Sequence, residues 1–236
     1  MPEMIQINFS RRFPIFPLAG ICLLPHATIP LHIFEPRYIR MVSEALDGSS
    51  QIAMATFEGK RWQQEYHGNP PIRPVVCVGQ IERYERRPMD RYNIMLQGIC
   101  RAQIVQEFMP EQDRPYRMAR LVALDSNPES HEEELVGWRR RVQELLESDP
   151  LSRMRLGGDV LKWFEREDIP SHVLIEIVGH LLMTTTEDAE RRYHLLAESD
   201  TIERAEYTEA QLRGLERLVS RVEVQTTDWP KGCTWN

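Results

Sequence analysis

The apolar residues of this chain change their spacing once, near residue 125, and that change limits the fold more than any single motif. Up to Leu124, short apolar runs rich in β-branched residues alternate with turn signals such as Pro88-Met89-Asp90-Arg91 and the stretch from Pro110 to Pro115. Runs of that kind read as short strands joined by tight connections. Beyond the polar stretch Asp125 to Ser130 (DSNPES), apolar residues recur at helical spacing instead. The pattern predicts an α+β protein with two parts, a β-rich portion over 1–125 and an α-helical portion over 126–236. The helical faces are continuous and apolar, so they are expected to pack against the β-rich part as the available partner surface.

Within the first part, Phe13-Pro14-Ile15-Phe16-Pro17-Leu18 and Ile21 to Pro25 are apolar runs interrupted by proline. Proline removes a backbone donor, which favours edge strands and extended turns. A third run covers Ile29 to Phe34, and Glu35-Pro36 then opens a helix carrying Tyr38, Met41, Val42, Ala45 and Leu46, closed at Asp47-Gly48. Strands are predicted over 51–57, 74–86, 92–96, 101–108 and 116–124, with a bend or bulge at Gly98. Their short connections suggest an antiparallel, partly closed barrel. The segment from Glu58 to Arg73, punctuated by Gly59, Gly68, Asn69, Pro70 and Pro71, is predicted to be a long loop.

In the second part, Leu135, Trp138, Val142, Leu145 and Leu146 mark one helix and Val160 to Glu165 a shorter one. Ile169-Pro170 opens a third, with Val173, Leu174, Ile177, Val178, Leu181 and Leu182 on one face. Thr184 to Glu187 breaks and recaps the chain, and Asp188 to Ala197 is helical. Asp200 caps a last helix that turns Leu212, Leu215, Leu218, Val219 and Val222 inward.

The opening is also recognisable. Phe-Pro-Ile-Phe-Pro-Leu, followed by Pro30-Leu31-His32-Ile33-Phe34-Glu35-Pro36-Arg37-Tyr38, resembles the start of the Lon amino-terminal domain family. The resemblance continues through Gly79-Gln80-Ile81, Leu96-Gln97-Gly98-Ile99-Cys100-Arg101, Tyr116-Arg117-Met118-Ala119-Arg120 and Tyr193-His194-Leu195-Leu196-Ala197-Glu198. It implies a PUA-like β pseudo-barrel followed by a C-terminal helical bundle, and a role in binding the polypeptide substrates of an ATP-dependent protease. The implied partners are unfolded or extended polypeptide segments, with a protease or chaperone as a candidate associate.

Composition is that of an ordinary globular protein, with 42% hydrophobic and 28% charged residues. No apolar run approaches a membrane span and Met1 to Arg12 lacks a signal-peptide core, which points to the cytoplasm. Charge is uneven: residues 1–125 carry 15 Lys/Arg against 13 Asp/Glu, and residues 126–236 carry 14 against 23. An acidic second half disfavours broad phosphate binding. The one basic feature with interleaved aromatics is Arg83, Arg86, Arg87 and Arg91 with Tyr84 and Tyr92. PUA-like folds do bind RNA, so an RNA-binding module is the alternative reading. Glu82, Glu85 and Asp90 among those arginines favour a solvated hairpin.

No catalytic site is predicted. The chain contains no phosphate loop, no GxSxG elbow, and no lysine in a setting like the Ser–Lys dyad of Lon's protease domain. The expected protein is therefore non-enzymatic and needs no cofactor, a recognition module without either motor. Cys22, Cys77, Cys100 and Cys233 are scattered, and read as apolar fillers rather than disulfides. His26, His32 and His67 lie on unrelated segments, so no metal site is assigned. Cys22 with His26 lacks a third orienting group for nucleophilic catalysis. His180 and His194 read as structural. Glu35, Arg37 and Arg101 are expected to form a structural charge pairing, because unpaired charge near apolar runs is costly. Candidate peptide-binding residues are Trp62 and Tyr66 in the long loop, and Phe16 and Leu24 in the proline-broken runs. The loop aromatics either pin the loop or face a partner.

Overall fold

The structure, a computed structural model, describes residues 5–59, 62–65, 68–124, 131–183 and 189–227. Its strands are β1 (Arg12–Leu18), β2 (Thr28–Ile33), β3 (Gln51–Thr56), β4 (Val75–Arg86), β5 (Tyr92–Phe108) and β6 (Met118–Ala123). Its helices are α1 (Pro36–Leu46), α2 (Trp62–Glu65), α3 (Glu132–Glu147), α4 (Arg155–Phe164), α5 (Ser171–Leu182), α6 (Ala189–Ala197) and α7 (Thr201–Thr227). The chain forms two compact units, one of residues 1–127 with 183–200 and one of 128–182 with 201–236. The segment Asp125 to Ser130 lies outside the described residues, as do Thr184 to Glu187. No helix among the described residues is long and apolar enough to cross a membrane.

The first unit is a six-stranded sheet in the order β2-β5-β4-β3-β1-β6, with β6 also pairing to β5. The sheet rolls far enough for its last strand to reach the second half of β5, yet β2 keeps a free edge and the barrel is not closed. One pair departs from the antiparallel expectation: β1 and β3 are parallel, Ile15 opposite Ala53. Parallel neighbours need a long crossover, which the intervening β2 and α1 supply. β1 is also not an edge strand. Its first half pairs with β6 and its second half with β3, so Pro14 meets only Met118 and Pro17 only Ala55. Each proline thus has a registered neighbour on one flank only, and the missing N–H is accommodated there. The second proline-broken run, Ile21 to Pro25, forms no strand; Cys22, Leu23 and Leu24 are buried in irregular backbone.

Strand β5 serves three neighbours, and a bulge between Gly98 and Cys100 bends it between them. Gly98 donates to Ala27 O and accepts from His26 N, both at 2.8 Å. A Cβ at this position would stand 2.1 Å from Leu24 O, so the close crossing of two main chains requires glycine. One core face gathers Phe13, Ile15, Ala53, Val76, Val78 and Leu121.

Helix α6 belongs to this unit. Arg101, on β5 and 1% exposed, donates through Nε to Leu196 O at 3.1 Å and through Nη2 to Leu195 O at 3.2 Å. Those carbonyls lie in the last turn, where intrahelical donors run out. Tyr193 Oη accepts from Val75 N at 3.2 Å, and the Arg73 guanidinium lies 4.3 Å from the Tyr193 ring while pairing with Glu190. Arg192 donates to Met183 O and, at 2.7 Å, to Gly20 O.

The second unit is a helical bundle with Leu135, Trp138, Val142, Leu146, Leu174 and Val178 in its core. Trp138 Nε1 donates to Ala205 O at 2.8 Å. Helix α5 is buried on more than the expected face: Ile175 and Glu176 are inside as well as Leu174 and Val178. Glu176, 2% exposed, faces Arg204 of α7, 1% exposed, with Arg204 Nε 3.2 Å from Glu176 Oε1. On α7 Leu212 is buried, but Leu218 is 61% exposed instead of inward, and the side chain of Val222 is outside the described residues.

Removing one partner of a buried ion pair leaves an uncompensated charge, whereas removing both does not. Glu176→Ala is therefore expected to lower the stability of the helical unit by about 3–5 kcal/mol, with Arg204→Met on the same chain recovering most of the loss. Urea unfolding of the two single variants and the double variant measures this.

Candidate functional site

The best-defined surface feature of the sheet unit lies beside the start of α1. Glu35 takes extended backbone angles before the helix and Pro36 occupies the first turn, so Arg37 curls back onto Glu35. Arg37 Nη2 and Nε lie 2.9 and 3.1 Å from Glu35 Oε2, and the guanidinium sits 4.6 Å from the Tyr38 ring centre. One turn on, Arg40 Nε donates to Glu44 Oε1 at 2.7 Å, and Glu44 also accepts from the Tyr116 hydroxyl. Burial pulls the Glu44 carboxyl upward, but the hydrogen bonds from Tyr116 and Arg40 outweigh it and hold the group below its usual range. Burial and the bond to Glu44 push the Tyr116 phenol up.

An open groove of about 630 Å³ runs along this helix start, lined by Pro36, Arg37, Arg40, Asn69, Pro110 and Pro115. A small recess sharing Arg37, Asn69, Pro110 and Pro115 continues inward to Tyr38, Phe57 and Tyr116. Its wall is held from behind by Arg117, 5% exposed, which donates to Pro70 O at 2.6 Å and pairs with Glu107 at 3.4 Å. Trp62, half-buried on α2, lies parallel to Phe57 with ring centres 5.9 Å apart. The long loop thus carries one helical turn, and Trp62 rests on a residue of the recess. The floor is proline and aromatic, and the rim carries two arginines already engaged with carboxylates.

Of the residues singled out in the sequence, Glu35 and Arg37 form an ion pair and Trp62 stacks on Phe57. Arg101 directs its Nε and Nη2 donors to the α6 carbonyls. Tyr66 and His67 lie outside the described residues. Phe16 and Leu24 are corrected: they are 4% and 0% exposed, with Phe16 edge-on to Tyr38 at 4.7 Å. Their side chains are core, and the backbone beside Leu24 is already used against Gly98. Prolines in these runs end pairing locally without bringing the runs to the surface.

Other chemistry-bearing residues fall elsewhere. Cys22 is fully buried, and burial pushes its thiol up to about 12, which removes it as a nucleophile at neutral pH. His26 takes a left-handed conformation at φ 62° in the turn against Gly98, and His32 lies on the exposed side of β2. The β4–β5 arginines are partly neutralised: Arg86 pairs with Asp90 at 2.6 Å and Arg87 with Glu85 at 2.9 Å. Arg40, Asn69, Pro110, Pro115 and Tyr116 are the groove residues sequence reasoning missed. The available signal was Tyr116-Arg117 in a family-like segment directly after a proline turn.

Residues 12–213 match the family model described as the ATP-dependent protease La (LON) substrate-binding domain. The chain belongs to this family of substrate-binding domains. Two solved structures share its fold. The N-terminal domain of Mycobacterium avium complex Lon protease is matched over 86% of this chain and 98% of that one, at TM-score 0.62 and 16% identity. A Lon N-terminal domain protein from Xanthomonas campestris is matched over 85% and 98%, at TM-score 0.59 and 21% identity. Among curated relatives, a Lon protease of Desulfovibrio desulfuricans is 26% identical over 85% of this chain, and Lon protease 2 of Myxococcus xanthus 23% over 58%. The chain spans 22% and 16% of the length of those two proteins.

Because the Glu44 carboxyl sits below its usual value near 4.5, its contribution to stability is complete above that value and is lost as pH falls through the depressed one. Tyr116→Phe is expected to cost about 1 kcal/mol at pH 7 and to flatten this acid-side loss. Urea midpoints of both proteins between pH 7 and acid conditions check the sign.

Proposed function

We propose that this chain recognises extended polypeptide segments and performs no chemistry on them, with the groove beside α1 as a contact surface. The observation that carries the reading is the family match, which spans every residue lining that groove. The groove's shape supports it. A shallow channel of about 630 Å³ walled by Pro36, Pro110 and Pro115, with a small recess beside it that reaches Tyr38, Phe57 and Tyr116, suits a stretch of unfolded chain better than a small metabolite, which is normally enclosed on most sides. Rigid prolines supply contact area at low ordering cost, and Trp62, stacked on Phe57 of the recess, is the aromatic anchor of this reading, since a few such anchors carry most of an interface's energy. The Glu35–Arg37 and Arg40–Glu44 pairs hold their charges at the rim, so an apolar segment meets no unpaired ion. A protease is a natural recipient of such cargo, as the name of the matched relatives, Lon protease, suggests; a chaperone is the other candidate recipient.

Fluorescence-polarisation titration of a diverse set of unfolded-protein peptides tests the reading. Wild type is expected to bind apolar-rich members weakly, and Trp62→Ala to lose about 1–3 kcal/mol of affinity. If Trp62 only pins the loop, the variant melts earlier and binds as before. A wild type that binds no peptide of the set overturns the proposal.

A further inference from the structure

Among the described residues β2 pairs on one side only, with β5, and its register fixes which backbone groups face the other side. At its foot Gly98 N donates to Ala27 O at 2.8 Å. Residues exchanging bonds in an antiparallel ladder alternate with residues that do not. Ile29, Leu31 and Ile33, paired with Leu96, Ile94 and Tyr92, share the phase of Ala27 and point their main-chain groups at β5. The N–H and C=O groups of Thr28 and His32, with the carbonyl of Pro30, then point to the open side. Pro30 stands where its absent N–H breaks no ladder bond, the position edge prolines adopt. Side chains follow the same alternation: Leu31 and Ile33 are buried while Pro30 and His32 are exposed.

A second groove, of about 530 Å³, crosses the sheet beside this edge and includes Pro30, His32, Tyr84 and Met95. Pro30, Met95 and Arg83 form one row across β2, β5 and β4, and His32, Asn93 and Glu85 the next. In the second row charge is settled internally. Glu85 pairs with Arg87, and the Asn93 amide, oriented to donate to His32 Nδ1 at 2.7 Å, accepts from Arg87 Nε at 2.9 Å. Of the charged residues lining this groove, Glu85 is engaged by Arg87 and Arg83 has no carboxylate partner among the described residues, so the groove wall carries one unmatched positive charge on a chain of net charge −7; Glu82 and Arg91 of the same hairpin are not in its lining.

We propose that this edge takes an extended, acidic polypeptide segment by strand addition. The segment's backbone pairs with Thr28 and His32, an apolar side chain covers Pro30 and Met95, and its carboxylates lie within reach of Arg83. The inference rests on the polypeptide reading above and names a second surface with its own selectivity. Pro30 interrupts the edge at its centre, which limits pairing to a short stretch and keeps the contact reversible. A polypeptide fits better than RNA, because a single unmatched arginine gives little counterion release, while the row of backbone groups has the repeat of a strand.

The test uses fluorescein-labelled unstructured peptides identical except that their polar positions are Asp/Glu, Asn/Gln or Lys/Arg. They are titrated against the full chain, Arg83→Glu, His32→Ala and His32→Pro, with thermal melts alongside. Only the proline variant deletes the outward His32 N–H. The acidic peptide is expected to bind wild type about 10-fold tighter than the basic one, Arg83→Glu to reverse that order, and His32→Pro to weaken binding by about 10-fold with His32→Ala near wild type. An unchanged order with Arg83→Glu, or equal behaviour of the two His32 variants when both melt as wild type does, overturns the strand-addition site and leaves the first groove standing. Should His32→Pro fold poorly, the charge order with Arg83→Glu decides alone. A wild type that binds no peptide overturns the polypeptide reading with it. Tighter binding of a single-stranded RNA of the same length overturns it in favour of nucleic acid.

Discussion

The sheet unit depends on one buried cation. Arg101 is removed from water on β5, and an unpaired guanidinium there would cost several kcal/mol. Its donors find main-chain carbonyls at the end of α6, the negative end of that helix. Either partner alone is unsatisfied: the strand buries a charge, and the helix ends in carbonyls that have run out of donors. Each is therefore a reason for the other's position. That is why residues 183–200, far along the chain, group with the sheet and not with the helices on either side of them. Arg73, Arg192 and Tyr193 reinforce the same attachment from both flanks.

A sheet braced in this way can leave surfaces uncommitted. In the groove beside α1 the charged residues Glu35, Arg37 and Arg40 are each matched to a partner, and much of the remaining lining is proline. Along β2 the backbone is half-used and the nearby charge is not fully matched. The two surfaces differ in what they would select: the first favours apolar cover, the second an extended backbone carrying negative charge. Cys22, one of two buried thiols among the described residues, is held protonated by its burial.

Much of the fold was legible in the sequence where the signal is local. The Glu35-Pro36 helix start, the bulge at Gly98, the turn at Pro88 to Arg91 and the change of apolar period all follow from neighbouring residues. What escaped was set by partners distant in sequence. Prolines in β1 suggested an edge, but two neighbours sharing the strand end to end make an interior strand tolerable. Phe16 and Leu24 looked available for the same reason, and are core. Arg101 could be recognised as a charge in need of a partner, yet nothing nearby in sequence shows that carbonyls of Leu195 and Leu196 receive its donors. Glu176 sits within an apolar helical run, and its burial follows only from Arg204 arriving on another helix. Of the groove, the Glu35–Arg37 pair was visible; Asn69, Pro110 and Tyr116 come together only through the sheet.

Native-state hydrogen exchange measures the central dependence most directly. If Arg101 makes α6 an integral part of the sheet unit, amides of residues 189–197 open with the same free energy as those of β4 and β5 and follow them across a urea series. Amides of α6 that open well before the sheet, at the free energy of the helical unit or by local fraying, would contradict it.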